Sequence, residues 1–572
     1  MKTRFKLLVL ALALLVVCFC IAACGGDEEG GLKEQSGTKP SEQAVAGNET
    51  WPEDLTLTIG LPLSANVEDY DTNAYTLWLE EETGFDLEFI TFQSSATDYK
   101  AQLSTMLATG DELPDVLWNF NVGQGAYEEY GASGYFIDLA PYYNNKELSK
   151  NFWDRLAELP QAQQDYVVRQ LTAEDNGMYA FARIEYSLID TMKYQVYINK
   201  TWLDELGLKA PTNRDELYNV LKAFRDGDPN KNGKKDELPL IGNNDSGNSN
   251  IVQWIINMFC YNDVNKYFNV DENNQLYLNQ ITDEYRQALI FINKLIKEGL
   301  MFNSAFSMSS KEIKSLLNPP EGEAITVGIF AGHPTIVHEV DNSAIYNYVA
   351  LPLWSYAPRN PQYFTPATFI TADCEYPAAA WHMFMTMCTK EGSYRQRYGE
   401  YGVDYVDADP GTKSFLGQDA EIKVINESAF AGQNNCCWHS IQGTILIQAE
   451  NEVCQLTDDM GEWLNWKMKN MADCYNSYVN AETNINPDPK YLMPDIVTPV
   501  EVSDADSNER NNSTSIISEA LASFCCGTGD YNNPNDDAQW NAYIQALKDQ
   551  GYETWMHNRQ LVYEDQYPER KP

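Results

Sequence analysis

Ten residues, Asp228 to Glu237, read DPNKNGKKDE and restrict what this chain can fold into more than any other stretch. Oxygen donors fall at alternate positions, on Asp228, Asn230, Asn232, the Lys234 carbonyl and Asp236, and Gly233 sits where a tight turn must fold them around one hard cation. The twelfth position of a standard EF-hand loop would be Pro239, which has no side-chain ligand, so Glu237 must supply the closing carboxylate. A solvated polar turn is the competing reading. The aligned donors favour calcium.

The flanks of the loop are as patterned as the loop. Tyr194 onward alternates as a half-buried strand does, and Trp202, Leu203, Leu206 and Leu208 begin a helical pattern that stops at Gly207 and Pro211. A second helix follows, with Thr212 or Asn213 as its cap, Glu216 in its first turn and Leu217, Val220, Leu221 and Phe224 as its buried stripe. Upstream, LTLTIGL (Leu55 to Leu61), a helix from about Asn73 to Glu82, FDLEFITF (Phe85 to Phe92) and the helix-plus-strand unit from Tyr99 to Trp118 repeat strand, helix and strand. Such alternation predicts an α/β layer architecture with mainly parallel sheets.

Taken together, the strand, the NK-WLD-LGL helix, the capped helix, the shortened calcium loop, LATGDELPDV and KEGL resemble the extracellular solute-binding proteins of family 1. These are the sugar-binding components of ABC importers, and the likeness is to their large lipoprotein branch. The resemblance runs from about Leu55 to Tyr563. It implies a two-lobed clamshell of type II, each lobe a mainly parallel sheet flanked by helices. Lobe 1 would comprise 51–185 and 347–390, and lobe 2 would comprise 186–346 and 391–566. It also implies a structural calcium at 228–237 away from the ligand cleft, a monomer, an oligosaccharide ligand and an ABC permease as partner.

The N-terminus fits a surface location. Lys2, Arg4 and Lys6 precede an apolar run from Leu7 to Cys20, and Ile21, Ala22 and Ala23 precede Cys24. Charged start, short hydrophobic middle and small residues before a cysteine predict a lipoprotein signal over 1–23, with Cys24 carrying the lipid. The chain would then be anchored to the outer face of a bacterial membrane rather than spanning it. Residues 24–50 hold almost no large apolar side chain and read as a flexible tether.

A net charge of -43 argues against nucleic acid and, less strongly, against polyuronates. Of 12 cysteines, Cys18, Cys20 and Cys24 belong to the signal, which leaves an odd number, so at least one thiol must stay unpaired within the chain. Buried free thiols suit the rest better than zinc or redox sites, because Cys436-Cys437 and Cys525-Cys526 lack C-x-x-C spacing.

Ligands of open α/β sheets collect at the carboxyl ends of strands. Trp118 stands at such an end with Asn119 and Gln124 after it, a flat ring and amides of the kind that sugar recognition needs. Tyr179, Arg183 and Glu185 lie where the resemblance implies a crossing between lobes. Trp254 opens a helix after a polar loop, and His333 follows the strand AITVGIF. The resemblance places Trp438 as a cleft aromatic on the second lobe, whereas Trp381 reads as core. A surface glycosidase or a calcium-stabilised carbohydrate-adhesion protein is the alternative, since dozens of carboxylates are available to a glycosidase. No G-x-S-x-G, P-loop or complete H-E-x-x-H motif is present, and the chain is expected not to be an enzyme.

Overall fold

A computed structural model describes residues 50–571 apart from 186–191, 245–248, 340–341, 352–354, 357–362, 427–428, 430–432, 439–444, 447–452, 456–460 and 480–486. Cys24 and the signal lie outside the described residues. Fourteen strands are described: β1 (Thr56–Pro62), β2 (Asp86–Phe92), β3 (Val116–Leu117), β4 (Phe181–Glu185), β5 (Val196–Asn199), β6 (Leu238–Ile241), β7 (Phe268–Val270), β8 (Leu276–Leu278), β9 (Val327–Ala331), β10 (Tyr348–Ala350), β11 (Tyr363–Ile370), β12 (Tyr405–Asp407), β13 (Ile422–Val424) and β14 (Ile445–Leu446).

Two sheets organise them. The first has the order β14-β4-β11-β3-β1-β2 and the second β10-β5-β9-β6, each with its own large apolar core. In the first, β1 runs parallel to both β2 and β3, as a strand-helix-strand repeat requires. Helix Ala74–Thr83 starts where the Asn73 side chain accepts the Tyr75 amide and stops at Gly84 in the left-handed region, close to its expected bounds. Helix Arg214–Asp226 is capped by Asn213, which accepts the Glu216 amide at 3.0 Å, while Thr212 bonds the Glu216 carboxylate instead. Its expected stripe of Leu217, Val220, Leu221 and Phe224 is buried in the second core.

The α/β expectation holds, with two corrections. The second sheet is mixed rather than mainly parallel, since β5 runs antiparallel to both β9 and β10 and only β6 and β9 are parallel. Chain direction explains this: β5 enters from the first lobe and β10 leaves toward it, so neither is joined to its neighbours by a right-handed crossover. The expected lobe boundaries also shift. Tyr348–Ala350 still belongs to the second sheet, and past residue 390 Trp438 packs in the first core and β14 pairs with β4, whereas Met471, Cys474 and the helices Ser507–Cys526, Asp537–Asp549 and Tyr552–Gln566 pack in the second core as expected.

A third, small core built on Tyr394, Tyr398, Tyr405, Ile422, Cys454 and the helix Gly461–Val479 lies between these two assignments. That helix gives Leu464, Met468 and Ala472 to the small core and Met471 and Cys474 to the second large one. Of the nine cysteines among the described residues, seven are buried, Cys436 and Cys526 being the exceptions.

Candidate functional site

Polar groups gather at the carboxyl ends of the strands in both lobes. After β3 the chain turns at Asn119, whose φ of 59° lies in the left-handed region that asparagine tolerates better than most side chains. That turn brings the Asn119 amide oxygen within 3.2 Å of Arg183 Nη1 on β4, so two expected ligand residues meet at the point where the chain leaves lobe 1. In lobe 2, β6 runs into Asn243, which pairs with Asn250 across the polar loop. Asn250 then caps helix Ile251–Ile256 by accepting the Gln253 amide at 2.9 Å. Asn243, Ser249 and Asn250 are buried, and His333 is half-buried at the end of β9. Amides and hydroxyls at strand ends can exchange hydrogen bonds with ligand hydroxyls.

The expected aromatic platform does not form. Trp118 and Trp438 are fully buried, in edge-to-face contact at 5.7 Å with each other, and both belong to the first core. Trp118 points into the layer between sheet and helix Pro377–Met387, where it meets Phe384, because the residue after β3 continues the inward face of that strand. Trp254 is likewise buried, in the second core, on a helix every residue of which is buried. Trp381 is core, as expected.

Tyr179 is also a packing residue. Its ring fills the space over Gly131 and Gly177, where a Cβ would come within 2.2 Å and 2.5 Å of it, and its hydroxyl bonds Asp175. Burial, and after it the Asp175 hydrogen bond, pushes the Tyr179 hydroxyl pKa up. Gln124 turns the same way and donates to Glu128 at 2.7 Å. Both stand beside a groove of about 640 Å³ lined by Glu128, Glu129, Glu174, Asp175, Glu501 and Asp504. Burial and then the charges of Glu174 and Asp175 raise the Glu128 pKa against the Gln124 hydrogen bond, so the groove disfavours further negative charge. The side chain of Glu185 lies outside what the structure describes.

The loop 228–237 is folded inward as its spacing predicts. Asp228 and Lys231 take φ values of 47° and 56°, and Gly233 one of 73°. The Asp228 carboxylate accepts the Gly233 amide at 3.2 Å, and Asn232 donates to both Asp236 oxygens at 3.0 and 3.1 Å. Glu237 is buried with Oε1 lacking any partner, and its pKa is raised by that burial and then by Asp236 and Asp228. An orphaned buried carboxylate oxygen beside two further carboxylates fits a cation. Among the described residues no three His, Cys, Asp or Glu side chains group around one metal position, so a complete shell here needs Asn230, Asn232 and the Lys234 carbonyl. Those are oxygen donors, the class that calcium takes.

Sequence reasoning passed over a buried polar turn at 257–263. Asn262 accepts from Asn279 and Gln280 at 2.9 and 2.8 Å and donates to Gln253 at 2.6 Å, while its amide donates to Asn257 Oδ1 at 2.9 Å. Beside it Lys193 and Asp263, both almost wholly buried, pair at 2.6 Å. A lysine three residues before the strand Val196–Asn199, in the run KYQVYI, was the signal available.

No protein-family model matches the chain. The fructooligosaccharide ABC transporter substrate-binding protein FusA of Streptococcus pneumoniae is 28% identical over 313 residues, 53% of this chain and 54% of FusA. Lipoprotein LipO of Bacillus subtilis is 28% identical over 247 residues, 43% of this chain and 45% of LipO. The chain thus spans about half the length of the curated relatives it matches. Among solved structures, an HMO-binding ABC-transporter-associated solute-binding protein from Bifidobacterium longum infantis superposes with a TM-score of 0.70 at 19% identity, covering 89% of this chain and 99% of that one. An EF-hand mutant of FusA in complex with fructo-nystose gives 0.65 at 20% identity, covering 90% and 100%. Sequence and fold agree: the chain is similar over about half its length to a substrate-binding protein of an ABC transporter, and it has the two-lobed α/β fold of solute-binding proteins.

Proposed function

We propose that the two lobes close on an oligosaccharide and present it to an ABC permease, with no covalent step. The observation that carries this is the pairing of a sequence match to a fructooligosaccharide-binding protein with a nearly full-length fold match to another sugar-binding one. Within the site, strand-end amides in both lobes and the Asn119–Arg183 contact suit hydroxyl groups. The -43 net charge and the groove of six carboxylates favour a neutral sugar over a polyanionic one. Hinged closure of two lobes around a ligand is how such a fold captures it.

The test is a thermal-shift screen over neutral oligosaccharides, fructooligosaccharides included, followed by small-angle scattering on any that bind. A binder should raise the melting temperature and reduce the radius of gyration of the monomer. Hydrolysis of the sugar, or binding without compaction, would favour the glycosidase or adhesion alternative.

Calcium in the loop 228–237 belongs to this reading as a structural ion, supported by the donor set and the orphaned Glu237 oxygen. So does a lipid on Cys24. Among the described residues no helix is long and apolar enough to cross a membrane. The small residues before Cys24 support the lipid, and metabolic labelling with a fatty-acid analogue should mark the wild type and be lost in Cys24→Ala; equal labelling of both removes the anchor.

A further inference from the structure

The segments joining the two sheets, from β4 to β5 and from β10 to β11, touch the same turn. Where the first arrives in lobe 2, Lys193 pairs with Asp263 at 2.6 Å and the Tyr194 hydroxyl accepts from Asn257 Nδ2 at 3.3 Å. Where the second departs, the Tyr356 amide donates to the Asn257 carbonyl at 2.7 Å. Asn257 therefore holds one crossing with its side chain and the other with its backbone. Its side chain is in turn locked to the Asn262 backbone at 3.0 Å, so the turn is rigid where it grips.

We propose that the turn 257–263 is a clasp: it ties the described ends of both crossings, Lys193–Tyr194 and Tyr356, to lobe 2 as one body. Lys193, Asn257 and Asp263 are then positioning residues for ligand capture, acting through the crossings and touching no ligand. The buried ion pair suits this role, because a fixed charge pair specifies geometry even where it adds little net stability. Only one Asp263 oxygen is used: Oδ1 receives both Lys193 and the Asn265 amide, and Oδ2 has no partner. The clasp rests on the two-lobe closure proposed above, but it is a property of the empty protein.

Hydrogen exchange on the full chain without sugar tests it. In the wild type, peptides over 192–196, 355–356 and 257–263 should open with one common free energy, as a cooperative unit does. Replacing the pair by Lys193→Met with Asp263→Leu keeps the site filled and removes both charges together. Exchange in both crossings should then rise by about tenfold or more, with helix Ala74–Thr83 of lobe 1 unchanged as an internal control. Scattering of the unliganded variant should show a broader spread of dimensions. Should that variant not fold, Tyr194→Phe removes one grip only and should accelerate the first crossing alone. Crossings that open independently of the turn in the wild type, or acceleration spread evenly over both lobes in the variant, would overturn the clasp. Because no sugar is present, neither result depends on what the protein binds.

Discussion

Trp438→Ala should lose about 3–5 kcal/mol of folding stability, the range for a large aromatic cut from a core. The indole is fully buried against Tyr75 at 5.3 Å, Phe89 at 5.7 Å and Trp118 at 5.7 Å, all edge-on, and its Nε1 donates to Thr76 at 3.0 Å. Those partners belong to the first helix, the second strand and the end of the third, so one side chain pins residues from the far end of lobe 1 to its beginning. The neighbouring backbone shows the same stitching: Ala74 donates to Asn435 and Asn73 donates to Cys437. Urea denaturation should show the midpoint falling with the slope unchanged, which marks a loss of native stability rather than a change of compactness. Sugar affinity measured well below the new midpoint should be nearly intact. A variant that keeps its stability and loses sugar binding would restore Trp438 to the cleft.

Chelation should be the second large effect. An ion held only by the folded chain stabilises it by mass action, about 2.7 kcal/mol when free calcium is a hundred times its dissociation constant. EDTA should lower the melting temperature of the wild type and leave Asp228→Ala, already low, where it is. The pH dependence follows from Glu237. Its carboxyl has a raised pKa in the metal-free fold, so the stability it contributes is present at acid pH and is lost as pH rises through its folded value. Bound calcium offsets that loss by supplying the missing partner. The chelation penalty should therefore be largest near neutrality and shrink as the solution is acidified into the carboxylate range. A wild type indifferent to chelator at neutral pH would make the loop an ordinary turn, and the fold match would stand without it.

Several parts of the molecule were legible in the sequence because their causes are local. A helix cap acts within four residues, and Asn213 and Asn73 each accept an amide two or three positions on. The buried stripe of helix Arg214–Asp226 follows from a 3.6-residue period, and the inward fold of 228–237 from alternate donors around Gly233. The α/β alternation likewise follows from patterns a few residues long. Asn119 was nameable from its strand end and Arg183 only from the resemblance, and the fold brings the two, 64 positions apart, into contact.

What only the tertiary structure decided is which face of the molecule a side chain meets. Nothing near Trp438 in the chain distinguishes a core ring from a cleft ring, since its ring contacts come from residues 320 to 363 positions away, on Trp118, Phe89 and Tyr75. The same holds for the stretch around β14, whose two residues pair with β4 although helices after it pack in the second core. Lys193 and Asp263, 70 positions apart, meet at 2.6 Å inside lobe 2 only through the tertiary fold. Sequence patterns report the free energy of a residue against its neighbours a turn or a strand away. Burial and pairing across hundreds of residues depend on how sheets and helices close over one another, and no local pattern carries that information.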